Sequence, residues 1–237
     1  MNQLKVFEIR LKIYLLQDIP QEQTYTVCSN FLDSYLAKNE AFLQLHETNC
    51  YKQYCFDQPY PVEKEGVYKK DQVYTIRIRT VSAELAGYFS SNLANHYNNQ
   101  MKGLTLEIRM IPKKMIAQIY SVTPAVIKCQ NESESGYWKK RITFEQYEER
   151  LKINLIKKYN TITDTKMNED FDLYHQIELV NRKPIGIPYK GIKLLGDKLC
   201  IQAAENEQAQ ELLYMAIGTG ICELNARGCG FVNYRYL

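Results

Sequence analysis

The sequence predicts an α+β fold in which one βαββαβ pattern is followed by a second. Three observations carry that expectation. Apolar residues switch between two-residue and three-to-four-residue spacing in a set order, and the order returns after Pro124. The chain then closes on a glycine-rich stretch that holds Gly218, Gly220, Gly228 and Gly230.

Residues Lys5 to Leu15 alternate, with Phe7, Ile9, Leu11, Ile13 and Leu15 on one side and Glu8, Arg10 and Lys12 on the other, as in a half-buried strand. Pro20 sits where a first helical turn begins, and Cys28, Phe31, Leu32 and Tyr35 recur at helical steps, so a helix of about four turns follows. After a polar break at Lys38 to Glu40, Tyr51 to Phe56 reads as a second strand. Tyr74, Ile76 and Ile78 alternate with Thr75, Arg77 and Arg79 in a third. Leu85, Phe89 and Leu93 set a helix, and Leu104, Leu106, Ile108 and Met110 a fourth strand, which completes the ferredoxin-like order.

The second pattern begins with a strand at Ala125 to Cys129. A helix opens at Thr143, with Gln146 at capping-box spacing and Tyr147, Leu151 and Leu155 as its buried stripe. Strands at Leu173 to Val180 and Ile192 to Ile201 precede a helix through Ala209, Leu212, Leu213 and Ala216. The glycine-rich ending, Gly218 to Phe231, stands in for the last loop and strand. Two ferredoxin-like units are expected, 1–122 and 123–237.

With 237 residues, 45% hydrophobic and 24% charged, the chain buries one substantial core or two small ones and is not a disordered tail. Met1 to Pro20 holds no apolar run of the length of a signal peptide or a spanning helix, so a soluble, unexported, cytoplasmic protein with no membrane partner is expected. Seven cysteines without a C-x-x-C pair suit a reducing compartment. His46, Cys50 and Cys55 lack the second cluster that a zinc site needs, so neither a metal nor a cofactor is expected. A net charge of +3 and a pI near 8.3 do not by themselves announce a nucleic-acid partner, and that case rests on local clusters.

The segment from Gly218 to Phe231 resembles the glycine-rich loop of the RAMP superfamily, with Cys229 in place of the usual central aromatic residue. By spacing alone, its glycines either turn amides toward a phosphate backbone or build a tight turn and helix C-cap. Leu45-His46-Glu47, followed by Lys52 and the strand Tyr74 to Arg79, resembles the region where the CRISPR repeat-processing endoribonucleases, the family of the Cas protein numbered six, carry their catalytic histidine. The resemblance spans nearly the whole chain, and between Glu132 and Arg150 it is one of architecture without a motif.

What the resemblance implies is a metal-independent endoribonuclease of antiviral defence that binds CRISPR repeat RNA and cuts precursor transcripts into guide RNAs. A 2′-hydroxyl attacks the phosphorus, leaving a 2′,3′-cyclic phosphate and a 5′-hydroxyl. His46 is then the general acid or base and Lys52 the cation beside the phosphorane. Tyr35 either positions the 2′-hydroxyl or packs within its helix. His96 and His175 are structural or surface residues. The RNA contacts implied are Gly218, Gly220, Arg227, Gly228 and Gly230 of the loop, the basic run Lys139, Lys140 and Arg141 beside Trp138, Lys157 and Lys158 on the following helix, Arg182 and Lys183 at a strand end, and Lys190 and Lys193 beyond. The alternative is a non-catalytic RNA-binding RAMP subunit of a CRISPR effector complex. Association with an effector complex and homodimerisation both stay open.

Overall fold

The computed structural model describes residues 4–48, 50–129, 137–189 and 192–237, with the side chains of all of these except 45–47 and 189. The alternation of the first strand is realised in β1 (Val6–Leu15), where Ile9, Leu11, Ile13 and Leu15 are fully buried. A two-residue β2 (Ile19–Pro20) leads into α1 (Thr24–Leu36) and α2 (Glu40–Glu47). The α2 helix, which the sequence reading passed over, is started by Asn39, whose side chain accepts from the amides of Ala41 and Phe42. Next come β3 (Tyr54–Phe56), the short β4 (Val67–Tyr68), β5 (Val73–Thr80), α3 (Ala83–Asn92) and β6 (Met101–Ile111).

β1 lies between β5 and β6, pairing Ile9 with Ile78 and Ile108, and the sheet order is β3-β5-β1-β6. Helices α1 and α3 cover one face, burying Phe31, Leu32, Leu85 and Phe89 on the β1 stripe.

The second unit starts earlier than the sequence suggested. Its first strand is β7 (Ile116–Ser121), and Ala125 and Val126 form only isolated bridges, to Asp197 and Glu223. The change of sheet thus falls between Ile111 and Ile116, ahead of the expected division at 122/123. Then follow α4 (Phe144–Thr163), β8 (Tyr174–Leu179), β9 (Ile185–Tyr189), β10 (Ile192–Gly196), β11 (Leu199–Ala203), α5 (Glu207–Thr219) and β12 (Val232–Tyr236). The capping box at Thr143 and Gln146 is formed in both directions. The single strand expected over Ile192 to Ile201 is two: β10 pairs with β9 in a hairpin, and β11 enters the sheet β12-β7-β11-β8. The glycine-rich loop does not replace the last strand but leads into it, as β12.

Each sheet has its unit's strands in the order fourth, first, third, second, so the fold is α+β with two tandem ferredoxin-like units. The units share a core that takes Val6 and Ile111 from the first and α5 from the second. Tyr214 of α5 accepts from the Val6 amide and donates to the Ile111 carbonyl. A side chain at Gly218 would meet a Val81 methyl at 2.8 Å, so glycine lets α5 settle there without displacing Val81. Among the described residues, no helix is long and apolar enough to cross a membrane.

Candidate active site

Past the end of α2, Thr48 and residues 50–54 face the second unit across a cleft of about 700 Å³. The far wall is Asn154, Lys158 and Ile162 of α4, Thr219 of α5 and the loop residues 222–227. Among the described residues, Lys52, Lys128, Lys158 and Arg227 bring four cations to this lining, against one carboxylate, Glu223. Burial pushes the Glu223 carboxyl above its usual range, while the Lys128 amide and the nearby charges of Lys128, Lys158 and Arg150 oppose the shift. Converging cations of this kind suit a phosphodiester and the charge that develops when it is attacked.

Lys158 follows Leu151 and Leu155 along the buried side of α4 and is 3% exposed. Its ammonium donates to the carbonyls of Gly220 (3.0 Å) and Cys222 (2.7 Å) and to Asn225 Oδ1 (2.7 Å). Asn225 in turn donates to the Ile221 and Cys229 carbonyls. Burial pulls the Lys158 pKa down to about 8. Lys158 is therefore a post that holds the glycine-rich loop, which corrects its reading as a surface RNA contact.

The loop glycines are themselves structural. Gly220, Gly228 and Gly230 have φ of +77°, +83° and +67°, a region that favours glycine. Their amides donate to Ala216, Asn225 and Pro124 carbonyls, and all three residues, with Gly218, are buried. The expectation that these amides turn outward to phosphates is corrected, because each already has a partner inside the protein. Arg227 is the basic one among the loop residues 222–227 that line the cleft. It is half-buried, paired with Asp33 of α1, and donates to Ser29 Oγ.

The remaining candidates divide by location. Lys52 lines the cleft, with its Nζ donating to the Thr48 carbonyl at 2.5 Å. His46 falls in the last turn of α2, two residues before Thr48, and its side chain lies outside the described residues. Tyr35 is 3% exposed, packs its ring at a tilt on Tyr88 and donates to the Tyr88 carbonyl at 2.8 Å, so its hydroxyl is used in the core of the first unit and not in the cleft. His96 is buried against Ser34, and His175 pairs with Glu205 at the surface. Trp138 packs on Tyr147 and donates to Asp197, leaving Lys139, Lys140 and Arg141 exposed away from the cleft, as is Arg182. Lys190 lies outside the described residues.

A second cleft, of about 640 Å³, lies over the open face of the first sheet, where Arg10, Lys12 and Arg77 meet Lys198 of the second unit. Asp57 and Glu107 also line it. In the sequence, Arg10, Lys12 and Arg77 stand only as the residues alternating with the apolar side of their strands, without a binding role. It also missed Lys128, Tyr54, Asn154 and Asn225 at the first cleft, residues far apart in the chain that only the docking of the two units brings together.

The family described as CRISPR associated protein Cas6, C-terminal, matches residues 110–234. No curated protein matches the sequence. Solved structures share the fold over nearly the whole chain. One of a CRISPR associated protein Cas6 is 20% identical, covers 97% of this chain and 99% of its own, and has a TM-score of 0.72. Another, from a Cas6-related gene of Pyrococcus furiosus, is 17% identical over 97% and 98%, with a TM-score of 0.66. A Cas6 product complex is 13% identical over 98% and 99%, with a TM-score of 0.62.

Proposed function

Since the chain belongs to the Cas6 family of CRISPR-associated proteins, we propose that it binds CRISPR repeat RNA and cleaves precursor transcripts within the cleft that joins the end of α2 to the glycine-rich loop. The observation that carries this reading is the convergence of Lys52, Lys128 and Arg227 on that cleft, close along the chain to His46. The Cas6 product complex among the similar folds supports cutting over binding alone.

In this mechanism the 2′-hydroxyl upstream of the scissile phosphate loses its proton to a general base and attacks the phosphorus. The 5′-oxygen leaves with a proton from a general acid, giving a 2′,3′-cyclic phosphate and a 5′-hydroxyl. His46 serves one of the two proton steps, since a histidine titrates near neutrality. Lys52 and Lys128 neutralise the phosphorane, and no metal ion takes part. Lys158 and Arg227 keep the loop in place around the RNA. The second basic cleft carries the flanking repeat RNA across the sheet face. Cytoplasmic location and delivery of the product to a CRISPR effector complex belong to the same proposal.

The test is labelled repeat RNA incubated with the protein in excess chelator. Cleavage is expected there, and it stops when the sugar upstream of the cut lacks its 2′-hydroxyl. His46→Ala should slow the cut by roughly two to four orders of magnitude with affinity nearly kept. Selective binding by the unaltered protein without any cleavage would favour the alternative, a structural RNA-binding subunit.

A further inference from the structure

The first sheet ends on β6, and from Thr105 to Ile111 no strand among the described residues pairs with its outer side. The start of β6 is covered, since the Gly103 amide donates to the His96 carbonyl. Further along, Ile108 is 44% exposed and Met110 55%, while Leu106 is partly buried against the core of the first unit. A free, partly apolar edge is a template for another strand unless charge, proline or a bulge blunts it. β6 has a bulge at Leu104 and is followed by Pro112, so both devices stand at the ends of the open stretch and leave 105–111 intact.

The backbone directions along this edge follow from its neighbours. Leu15 donates to the Gln72 carbonyl and accepts from the Asp71 amide, both on the β5 side, whereas Leu16 donates to the Gln100 carbonyl on the β6 side. Odd-numbered residues of β1 thus bond to β5 and even-numbered ones to β6. Lys12, Arg10 and Glu8 stand opposite Thr105, Glu107 and Arg109, so these three spend their backbone groups on β1, and Leu106, Ile108 and Met110 point theirs out to the open edge. Two copies of this edge fit antiparallel about a two-fold axis at Ile108. Ile108 then meets Ile108 of the second copy, Leu106 meets Met110, and Glu107 meets Arg109 on either side of the axis. Opposite charges set directly across two strands attract and like charges repel. Glu107 is exposed, and the Arg109 side chain stays 54% exposed while it pairs with Glu8. Other registers fail. Centring on Glu107 or Arg109 sets like charges face to face, centring on Leu106 lays Arg109 against Gly103, whose amide is already taken, and centring on Met110 lays Ile108 against Pro112, which has no amide to give.

We propose that two copies of this chain associate edge to edge through β6, antiparallel and centred on Ile108. The partner is a second copy because the charges and the outward backbone groups of the strand complement themselves in that register. The axis stands perpendicular to the sheet, so the two four-stranded sheets run together and the basic faces that hold Arg10, Lys12 and Arg77 lie side by side, looking the same way. The inference needs neither RNA nor the first cleft.

Sedimentation velocity of the full chain without RNA should show a monomer–dimer mixture between about 1 and 200 μM. Amide hydrogen exchange, followed by NMR at both ends of that range, should slow several-fold in the dimer at Leu106, Ile108 and Met110. It should stay as it was at Thr105, Glu107 and Arg109, which β1 protects at either concentration. Glu107→Arg sets arginines face to face on both sides of the axis and Ile108→Lys sets two lysines at its centre, so each should raise the dissociation constant about ten-fold. Both positions are exposed, and both variants should melt with the wild type. If one melts lower, the other variant and the exchange of the wild type decide. A wild type that stays monomeric throughout overturns the proposal. So does a dimer whose exchange at Leu106, Ile108 and Met110 is unchanged, or one that both variants leave intact, since the contact then lies elsewhere.

Discussion

Arg79 Nε donates to Glu8 Oε2 at 2.8 Å within a pair almost wholly removed from solvent. The same guanidinium donates to the Val232 carbonyl and Asn233 Oδ1 of the second unit, with the Phe231 ring 4.4 Å away. The pair therefore ties β1 and β5 to β12. Burial opposes ionisation of Glu8, but Arg79, Arg10 and Arg109 outweigh it and hold the carboxyl at about 2.

Glu8→Gln leaves a buried guanidinium without its counter-charge and should cost about 3–5 kcal/mol in denaturant melts. A carboxyl depressed from 4.5 to about 2 contributes stability that is present above pH 4.5 and lost as the pH falls through about 2. The gap between wild type and variant should narrow across that window. A gap that stays constant with pH would show that the carboxylate charge is not what the joint depends on.

Lys158→Met deprives the Gly220 and Cys222 carbonyls and Asn225 Oδ1 of their donor, and a loss of about 1–3 kcal/mol near neutral pH is expected. The sign of the pH effect is the same as for Glu8, in a window shifted to alkaline pH. With a folded pKa of about 8 against 10.5 when unfolded, the unfolded chain holds the extra proton between those values, so the wild type gains stability as pH rises. Melting curves of both proteins at pH 7, 8, 9 and 10 should show the variant falling further behind.

A side chain at Gly230 would meet the Ile221 carbonyl oxygen at 2.0 Å on top of a positive φ. Gly230→Ala should abolish cooperative melting or lower the midpoint severely, whether or not RNA is present. Gly87 offers the contrast: it lies exposed within α3 with nothing inside 4 Å, and Gly87→Ala should stabilise by about 0.5–1 kcal/mol.

Lys52→Ala and Lys128→Ala should each slow cleavage and reduce the slope of log affinity against log salt by about 0.7, the value for one contact to single-stranded nucleic acid. Tyr35→Phe should cleave at the wild-type rate and lose about 0.5–1.5 kcal/mol of stability, through the bond to the Tyr88 carbonyl. A Tyr35→Phe protein that folds normally but cuts poorly would return that tyrosine to the chemistry.

Strands with unbroken alternation, β1 and β5, and the capping box of α4 were legible in the sequence because local spacing alone decides them. β7 was not. Tyr236 pairs with Ile116 and Arg235 with Gln118, so Ala117 bulges out and the buried positions lose their two-residue beat. The break at Asp197 and Lys198 was hidden by apolar residues that continue on both sides, and α2 is too short for its periodicity to stand out. At the site, Lys52 and Arg227 were reached by resemblance. The burial of Lys158 was readable in principle, since it continues the stripe of Leu151 and Leu155. Tyr54 and Asn154 carried no signal, because the cleft they line exists only once the two units are docked.

The seating of Gly218 against Val6 and Val81 makes the joint between the units a close-packed contact with no slack, reinforced by Tyr214 on one side and Arg79 on the other. Such a joint opposes hinging. A cleft whose walls are held this way leaves most of the conformational entropy loss on association to the RNA, so a strand already bent and unstacked should thread in faster than a stiff one.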